Sequence, residues 1–226
     1  MAARHVDFYF DYLSGYAYFG WLRVQDVCAK RGIELGIRPV LFAGLLNHWG
    51  TVGPAEVPPR RAWVYRDGFR FAALNGIKLA CPRFHPFNPL PALRLSLREV
   101  AGADQQRVVQ TLFRAGWTDG IDLGSTRELV AALDAEGLEG SALMERADTS
   151  LAKDALRRET EAAIGRGVFG VPTMIAEDEL FWGSDRIDHL ELYLDGKDPL
   201  DPYRERVAEI LGRARAADRP GKGGRA

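Results

Sequence analysis

The segment HVDFYFDY, residues 5–12, alternates along its length. Val6, Phe8, Phe10 and Tyr12 fall on one side, and His5, Asp7, Tyr9 and Asp11 on the other. A period of two with this aromatic content predicts a strand. Ser14 then opens a helix in which Tyr18, Trp21, Leu22, Val24 and Cys28 return at spacings of one to four, and Lys30-Arg31-Gly32 gives a basic last turn and a stop. IELGIRPVLF, residues 33–42, predicts a second strand, and Pro39 points to a sheet edge or an interrupted ladder. Strand, helix and strand within about forty residues match the size of a right-handed βαβ unit.

The middle of the chain carries no strong period of two. PPRRAWVYRDGFRFAALNG, residues 58–76, predicts a helix led by two prolines, with Ala62, Tyr65, Phe69, Ala72 and Ala73 on its apolar face. RFHPFNPLPALR, residues 83–94, begins as an extended proline-rich connector, and LPALRLSLREVAG turns helical. Further helical segments are expected over 104–117, 125–137 and 141–167, with glycine stops. The end returns to strands. GVPTMIAEDELFWG predicts strand, turn at Glu177-Asp178, and strand; residues 184–194 predict a helix with Ser184 as N-cap and Ile187, Leu190 and Leu194 on one face. The predicted fold is α/β, a thioredoxin-like βαβ…ββα sheet interrupted by a large all-helical insertion domain. Residues 1–42 and 167–216 are expected to form the sheet domain, 43–166 the insertion, and 217–226 a flexible tail.

Composition narrows the function classes. With 226 residues and 46% hydrophobic content, the chain can bury a sizeable core. A net charge of −1 and the lack of a basic block argue against nucleic acid and membrane surfaces as partners. No apolar run approaches ~18 residues, and MAARHVDFYF lacks the charged region and apolar run of a secretory signal. Cys28 and Cys81 form neither a C-x-x-C motif nor a zinc spacing, and Cys28 is expected to be a buried free thiol in a cytoplasmic protein. His5, His48, His85 and His189 make no HxH or HExxH pattern, so no metal centre is expected.

Three local features can carry chemistry, and each has a plain structural alternative. Ser14 stands where a helix presents partial positive charge and free N–H groups, so its hydroxyl can hold an anion such as a thiolate or merely cap the helix. In GVFGVPT, residues 167–173, the Val171-Pro172 bond is a candidate cis peptide, and Pro172 leaves the Val171 backbone free to pair with an extended ligand or simply starts a strand. In FWGSDR, residues 181–186, Gly183 allows close approach, and Ser184 and Asp185 can hold the two ends of an amino acid or act only as helix-start residues.

FYFDYLSGYAY, PAEVPPRRAW, PFNPLPALR, VFGVPTM and FWGSDRIDHLE, in this order, resemble the 2-hydroxychromene-2-carboxylate isomerases, which stand with the kappa-class glutathione transferases in the DsbA-like branch of the thioredoxin fold. The resemblance covers about residues 5–195. It implies glutathione as cofactor and Ser14 as the catalytic residue, in the place of a redox cysteine, hydrogen-bonding the glutathione sulfur. It implies that Val171 and Pro172 meet the cysteinyl backbone, that Ser184 and Asp185 bind the γ-glutamyl end with Arg186 in support, and that Thr51 stands where relatives have an asparagine serving the thiol. Tyr16, Arg60 and Asn88 are its implied substrate residues. It also implies a small aromatic substrate from ring cleavage and a homodimer. Three positions depart from the family pattern: Gly15 where Ser-Pro-Tyr is usual, Thr51 for asparagine, and Arg60 for lysine. Glutathione-dependent isomerisation is the leading expectation. A kappa-like transferase that conjugates electrophiles and a redox-inactive thioredoxin-like binding module are the alternatives.

Overall fold

The computed structural model describes residues 5–214. Strand β1 (His5–Phe10) lies inside a four-stranded sheet, paired parallel to β2 (Glu34–Pro39) and antiparallel to β3 (Thr173–Ala176). Strand β4 (Glu179–Trp182) pairs antiparallel to β3, giving the order β2-β1-β3-β4. The proline-containing β2 is at an edge, the first of the two alternatives that Pro39 offered. Because β1 is central, both its faces are covered: Val6, Phe8 and Phe10 are fully buried on one side, and Asp7 and Tyr9 nearly so on the other. Buried Asp7 is held by His5, Arg38 and Arg166, which ties β1 to the edge strand and to the segment before β3.

Helix α1 (Gly15–Arg31) crosses from β1 to β2. Ser14 is its N-cap, and Gly32 closes it in the left-handed region, φ 62°. Between β2 and β3 every regular element is helical: α2 (Phe42–Trp49), α3 (Pro58–Leu74), α4 (Leu90–Leu95), α5 (Arg98–Ala101), α6 (Gln105–Trp117), α7 (Thr126–Ala135), α8 (Gly140–Ala147) and α9 (Ser150–Gly165). Helix α10 (Ile187–Leu194) follows β4, and α11 (Arg204–Arg213) ends the described chain. The thioredoxin-like sheet with a helical insertion is thus present. The tail expected over 217–226 lies outside the described residues.

Several local expectations need correction. The helical segment over 141–167 is two helices, because the Thr149 hydroxyl accepts from Ala152 N–H and starts α9 afresh. Ser184 does not cap a helix: residues 184–186 form a 3-10 turn and α10 starts at Ile187. On α3, Ala62, Phe69 and Ala73 are exposed; Ala72 is buried, and Val64, Tyr65 and Phe71 are half-buried. The Phe71 ring packs at a tilt on Phe19 of α1, ring centroids 4.6 Å apart, so packing against α1 sets the inward face.

One main core joins sheet, α1 and insertion. Phe8, Phe10, Tyr12, Trp21 and Phe113 form a chain of ring contacts from β1 through α1 to α6. Cys28 is a free, buried thiol on α1, and burial pushes its pKa up to about 11. No helix among the described residues is long and apolar enough to cross a membrane, and no cluster of three metal-ligating side chains occurs among them.

Candidate active site

The joint between β1 and α1 is held from all sides. Asp11, fully buried, accepts from Leu13 N–H and from Phe42 N–H, both at 2.9 Å, so its carboxylate fixes the turn and the start of α2 together. Desolvation raises its pKa to about 6, with the two N–H donors acting in the opposite direction. The Ser14 N–H donates to Asp11 O at 3.0 Å. Ser14 has extended backbone, φ −100° and ψ 111°, and its Oγ accepts from Ala17 N–H at 3.1 Å. The same hydroxyl donates to the Val171 carbonyl at 3.3 Å, linking positions 157 residues apart.

Val171 precedes a cis Val171-Pro172 bond, and its N–H has no partner among the described residues. Pro172 O accepts from Gly183 N–H at 2.9 Å, which brings the 183–186 turn beside this segment. Gly183 has φ 105°, a conformation that favours glycine. Ser184 is buried; Asp185 is exposed and pairs with Arg186 at 3.2 Å. The turn packs against α1.

Tyr16, in the first turn of α1, donates to Asp67 of α3 at 2.6 Å. Burial, then Asp67 and Asp185, push its phenol pKa well up, so it stays protonated. The Tyr16–Asp67 and Phe19–Phe71 contacts advance along α1 and α3 in the same direction. Arg60, seven residues before Asp67, therefore lies about 10 Å back along α3, past the Ser14 end of α1. Its side chain is exposed and makes no ion pair among the described residues.

The structure thus gathers Ser14, Tyr16, Val171, Pro172, Ser184, Asp185 and Arg186 into one cluster. Three predicted residues make no hydrogen bond to it. Exposed Thr51 donates its N–H to Leu46 O at 3.0 Å. Exposed Asn88 accepts from Leu90 N–H at 3.1 Å and caps its own loop. Arg60 approaches through the direction of α3 alone.

Sequence reasoning missed Asp11, Asp67, Tyr65, His85 and Trp117. The His85 Nε2–H donates to Leu13 O at 2.8 Å, and the Trp117 Nε1–H donates to Tyr12 O at 3.0 Å. The Tyr65 hydroxyl sits 2.8 Å from His85 Nδ1. Asp11 carried a signal, a carboxylate inside an aromatic strand pattern; the others are far from Ser14 in sequence.

Glutathione can be tested against this donor set. An extended cysteinyl backbone requires a free N–H and a carbonyl at one residue, which Val171 offers once Ser14 turns from its carbonyl. A γ-glutamyl ammonium requires a carboxylate, and Asp185 is exposed in the turn that follows β4. A sulfur anion requires a donor at a helix start, where Ser14 stands. The residues fit.

Residues 5–195 match the family model described as the DSBA-like thioredoxin domain, and the chain belongs to that class. It is 31% identical over 194 residues to the 2-hydroxychromene-2-carboxylate isomerase of Sphingobium xenophagum, covering 84% of this chain and 98% of the relative. A solved structure of a 2-hydroxychromene-2-carboxylate isomerase superposes with a TM-score of 0.77 at 28% identity, covering 91% of this chain and 98% of the other. Glutathione S-transferase kappa 1 of Rattus norvegicus is 25% identical over 217 residues, 87% of this chain and 93% of the relative. Within the DSBA-like class, the chain belongs to the 2-hydroxychromene-2-carboxylate isomerase family, whose kappa relatives are also enzymes.

Proposed function

We propose that this protein is a glutathione-dependent cis–trans isomerase of 2-hydroxychromene-2-carboxylate or a related aromatic ring-cleavage product, with Ser14 stabilising the thiolate. The observation that carries the reading is the Ser14 hydroxyl. It caps α1 and spends its one proton on the Val171 carbonyl through a long 3.3 Å bond. A ligand N–H pairing with that carbonyl frees the proton for the sulfur beside it. Binding and thiolate stabilisation are then one event.

Bound glutathione supplies a sulfur that adds reversibly to a conjugated carbon. The chain's own part is electrostatic. The Ser14 O–H and the N-terminus of α1 favour the anion, and each unit of pKa depression corresponds to about 1.4 kcal/mol. Residue 14, being serine, forms no mixed disulfide, so disulfide exchange through it is excluded. Asp185 holds the γ-glutamyl ammonium, with Ser184 and Arg186 beside it. The Tyr16–Asp67 bond fixes the phenol in the first turn of α1, and Arg60, Asn88 and Thr51 are assigned to the substrate or the ligand on the resemblance. In this reading the protein acts in the cytoplasm as a homodimer within the breakdown of aromatic compounds.

The second reading, a kappa-like transferase, is favoured by the likeness to the rat enzyme. The two differ in whether glutathione is consumed. Incubation with 2-hydroxychromene-2-carboxylate and a trace of glutathione distinguishes them: many turnovers per glutathione support the isomerase, and one conjugate per glutathione supports the transferase. A partner-binding module lacking either activity remains the outcome if no reaction occurs.

A further inference from the structure

We propose that His85, anchored through Nδ1 by Tyr65, is a positioning residue that sets the direction of the Ser14 hydroxyl. The inference rests on the glutathione reading above for its functional consequence, though not for its geometry.

Each backbone carbonyl from Asp11 to Ser14 has a donor. Asp11 O accepts from Ser14 N–H, and Ser14 O from Ala17 and Tyr18 N–H, all within the local chain. Among the described residues the middle two are satisfied by the helical insertion, through Trp117 on Tyr12 O and His85 on Leu13 O. Leu13 C=O and Ser14 N–H belong to the same peptide plane, so His85 at 2.8 Å and Asp11 O at 3.0 Å hold that plane at both ends. Its orientation sets φ of Ser14, and hence where Oγ points.

The tautomer follows from the partners. A carbonyl oxygen only accepts, so His85 Nε2 carries a proton. Burial lowers the His85 pKa, with the Leu13 bond acting against it, so the ring is neutral at physiological pH and Nδ1 is a bare acceptor. Tyr65 therefore donates to Nδ1. The ring is also confined sterically, edge-on to Trp117 at 5.7 Å and to Phe87 at 6.0 Å. Loss of the Tyr65 hydroxyl leaves Nδ1 without its donor; Leu13 O still selects the Nε2–H form, but the ring loses one of its two anchors and its bond to that carbonyl loosens.

The test has two readouts. The first, free of glutathione, is the imidazole nitrogen NMR spectrum of the full chain. The wild type is expected to show His85 as the Nε2–H tautomer with Nδ1 shifted by its Tyr65 donor, and Tyr65→Phe the same tautomer with that Nδ1 shift lost; an Nδ1–H tautomer in the wild type overturns the proposal. The second is the ultraviolet titration of bound glutathione. His85→Leu is expected to raise the thiol midpoint by about one unit, roughly a tenfold loss of thiolate near neutral pH. His85→Gln, whose amide can donate to Leu13 O and accept from Tyr65, is expected to restore most of it. A folded His85→Leu that titrates like the wild type overturns the positioning role. A wild type with no thiolate signal while His85 is the Nε2–H tautomer overturns the glutathione reading and, with it, this role.

Discussion

Gly15 stands where the resemblance implies proline, and the Trp117 ring lies against it. A Cβ built on Gly15 lies 2.9 Å from Trp117 Cζ3 and 3.1 Å from Cη2. The backbone itself accepts proline: Ser14 is extended, as a residue before proline prefers, and Gly15 N–H has no partner among the described residues. With room available, Gly15→Ala would stabilise a helix start by about 0.5–1 kcal/mol. The Trp117 ring cannot yield freely, being buried and fixed to Tyr12 O at 3.0 Å. Overpacking costs about 1–3 kcal/mol, and loosening a buried hydrogen bond adds to it, so the net expectation is destabilisation by about 1–2 kcal/mol. Trp117→Phe removes the six-membered ring of the indole that makes the contact. In that background Gly15→Ala is expected to stabilise by about 0.5 kcal/mol, a coupling of about 2 kcal/mol. Urea unfolding of the four proteins measures it. Equal effects of Gly15→Ala in both backgrounds would refute the reasoning.

Two aspartates on β1 and its exit predict opposite pH responses. The folded-state pKa of Asp11 is raised to about 6, above its unfolded value, so its contribution is most favourable below pH ~4 and falls by about 3 kcal/mol as pH rises through ~6. Asp11→Asn should flatten that part of a urea-unfolding profile; a wild-type profile with no decline there contradicts the assignment. Burial pushes the Asp7 pKa up, but Arg38, His5 and Arg166 together more than offset it, so its contribution is present above pH ~4 and lost as pH falls through its lowered pKa. Because Arg38 and Arg166 are partly exposed, Asp7→Asn should cost about 2 kcal/mol at pH 7 in the same assay, and a change under 0.5 kcal/mol would show that solvent screens the pairs. Asp185→Asn should weaken glutathione binding about tenfold by calorimetry with little change in thermal midpoint, and unchanged affinity would remove Asp185 from the γ-glutamyl site.

The sheet was legible because each strand has its own local signal: aromatic alternation in 5–12, Pro39 for an edge, and Glu177-Asp178 for the hairpin. The cap at Ser14 was legible for the same reason. Helix α2 was not, since eight residues directly after a β-rich run show too little periodicity to separate from it. The break between α8 and α9 contains neither glycine nor proline, so only the Thr149 cap marks it. The inward face of α3 is decided by contacts with α1 that its own sequence does not contain. Within the site, Ser14, Val171, Ser184 and Asp185 could be named because motifs bear them. His85 and Trp117 reach the same turn across 72 and 105 residues, as single side chains whose partners are backbone carbonyls, and no spacing rule encodes that. Thr51, Arg60 and Asn88 rest on the resemblance, with helix direction adding support for Arg60.

The central claim is that Ser14 stabilises a glutathione thiolate, and ultraviolet difference titration of glutathione bound to the wild type and to Ser14→Ala tests it most directly. The wild type should show thiolate at neutral pH. Ser14→Ala should raise the midpoint by one to two units, a ten- to hundredfold loss, while losing only about 1 kcal/mol of stability from the helix cap. Superimposable titrations, or a wild type that does not bind glutathione, would contradict the account.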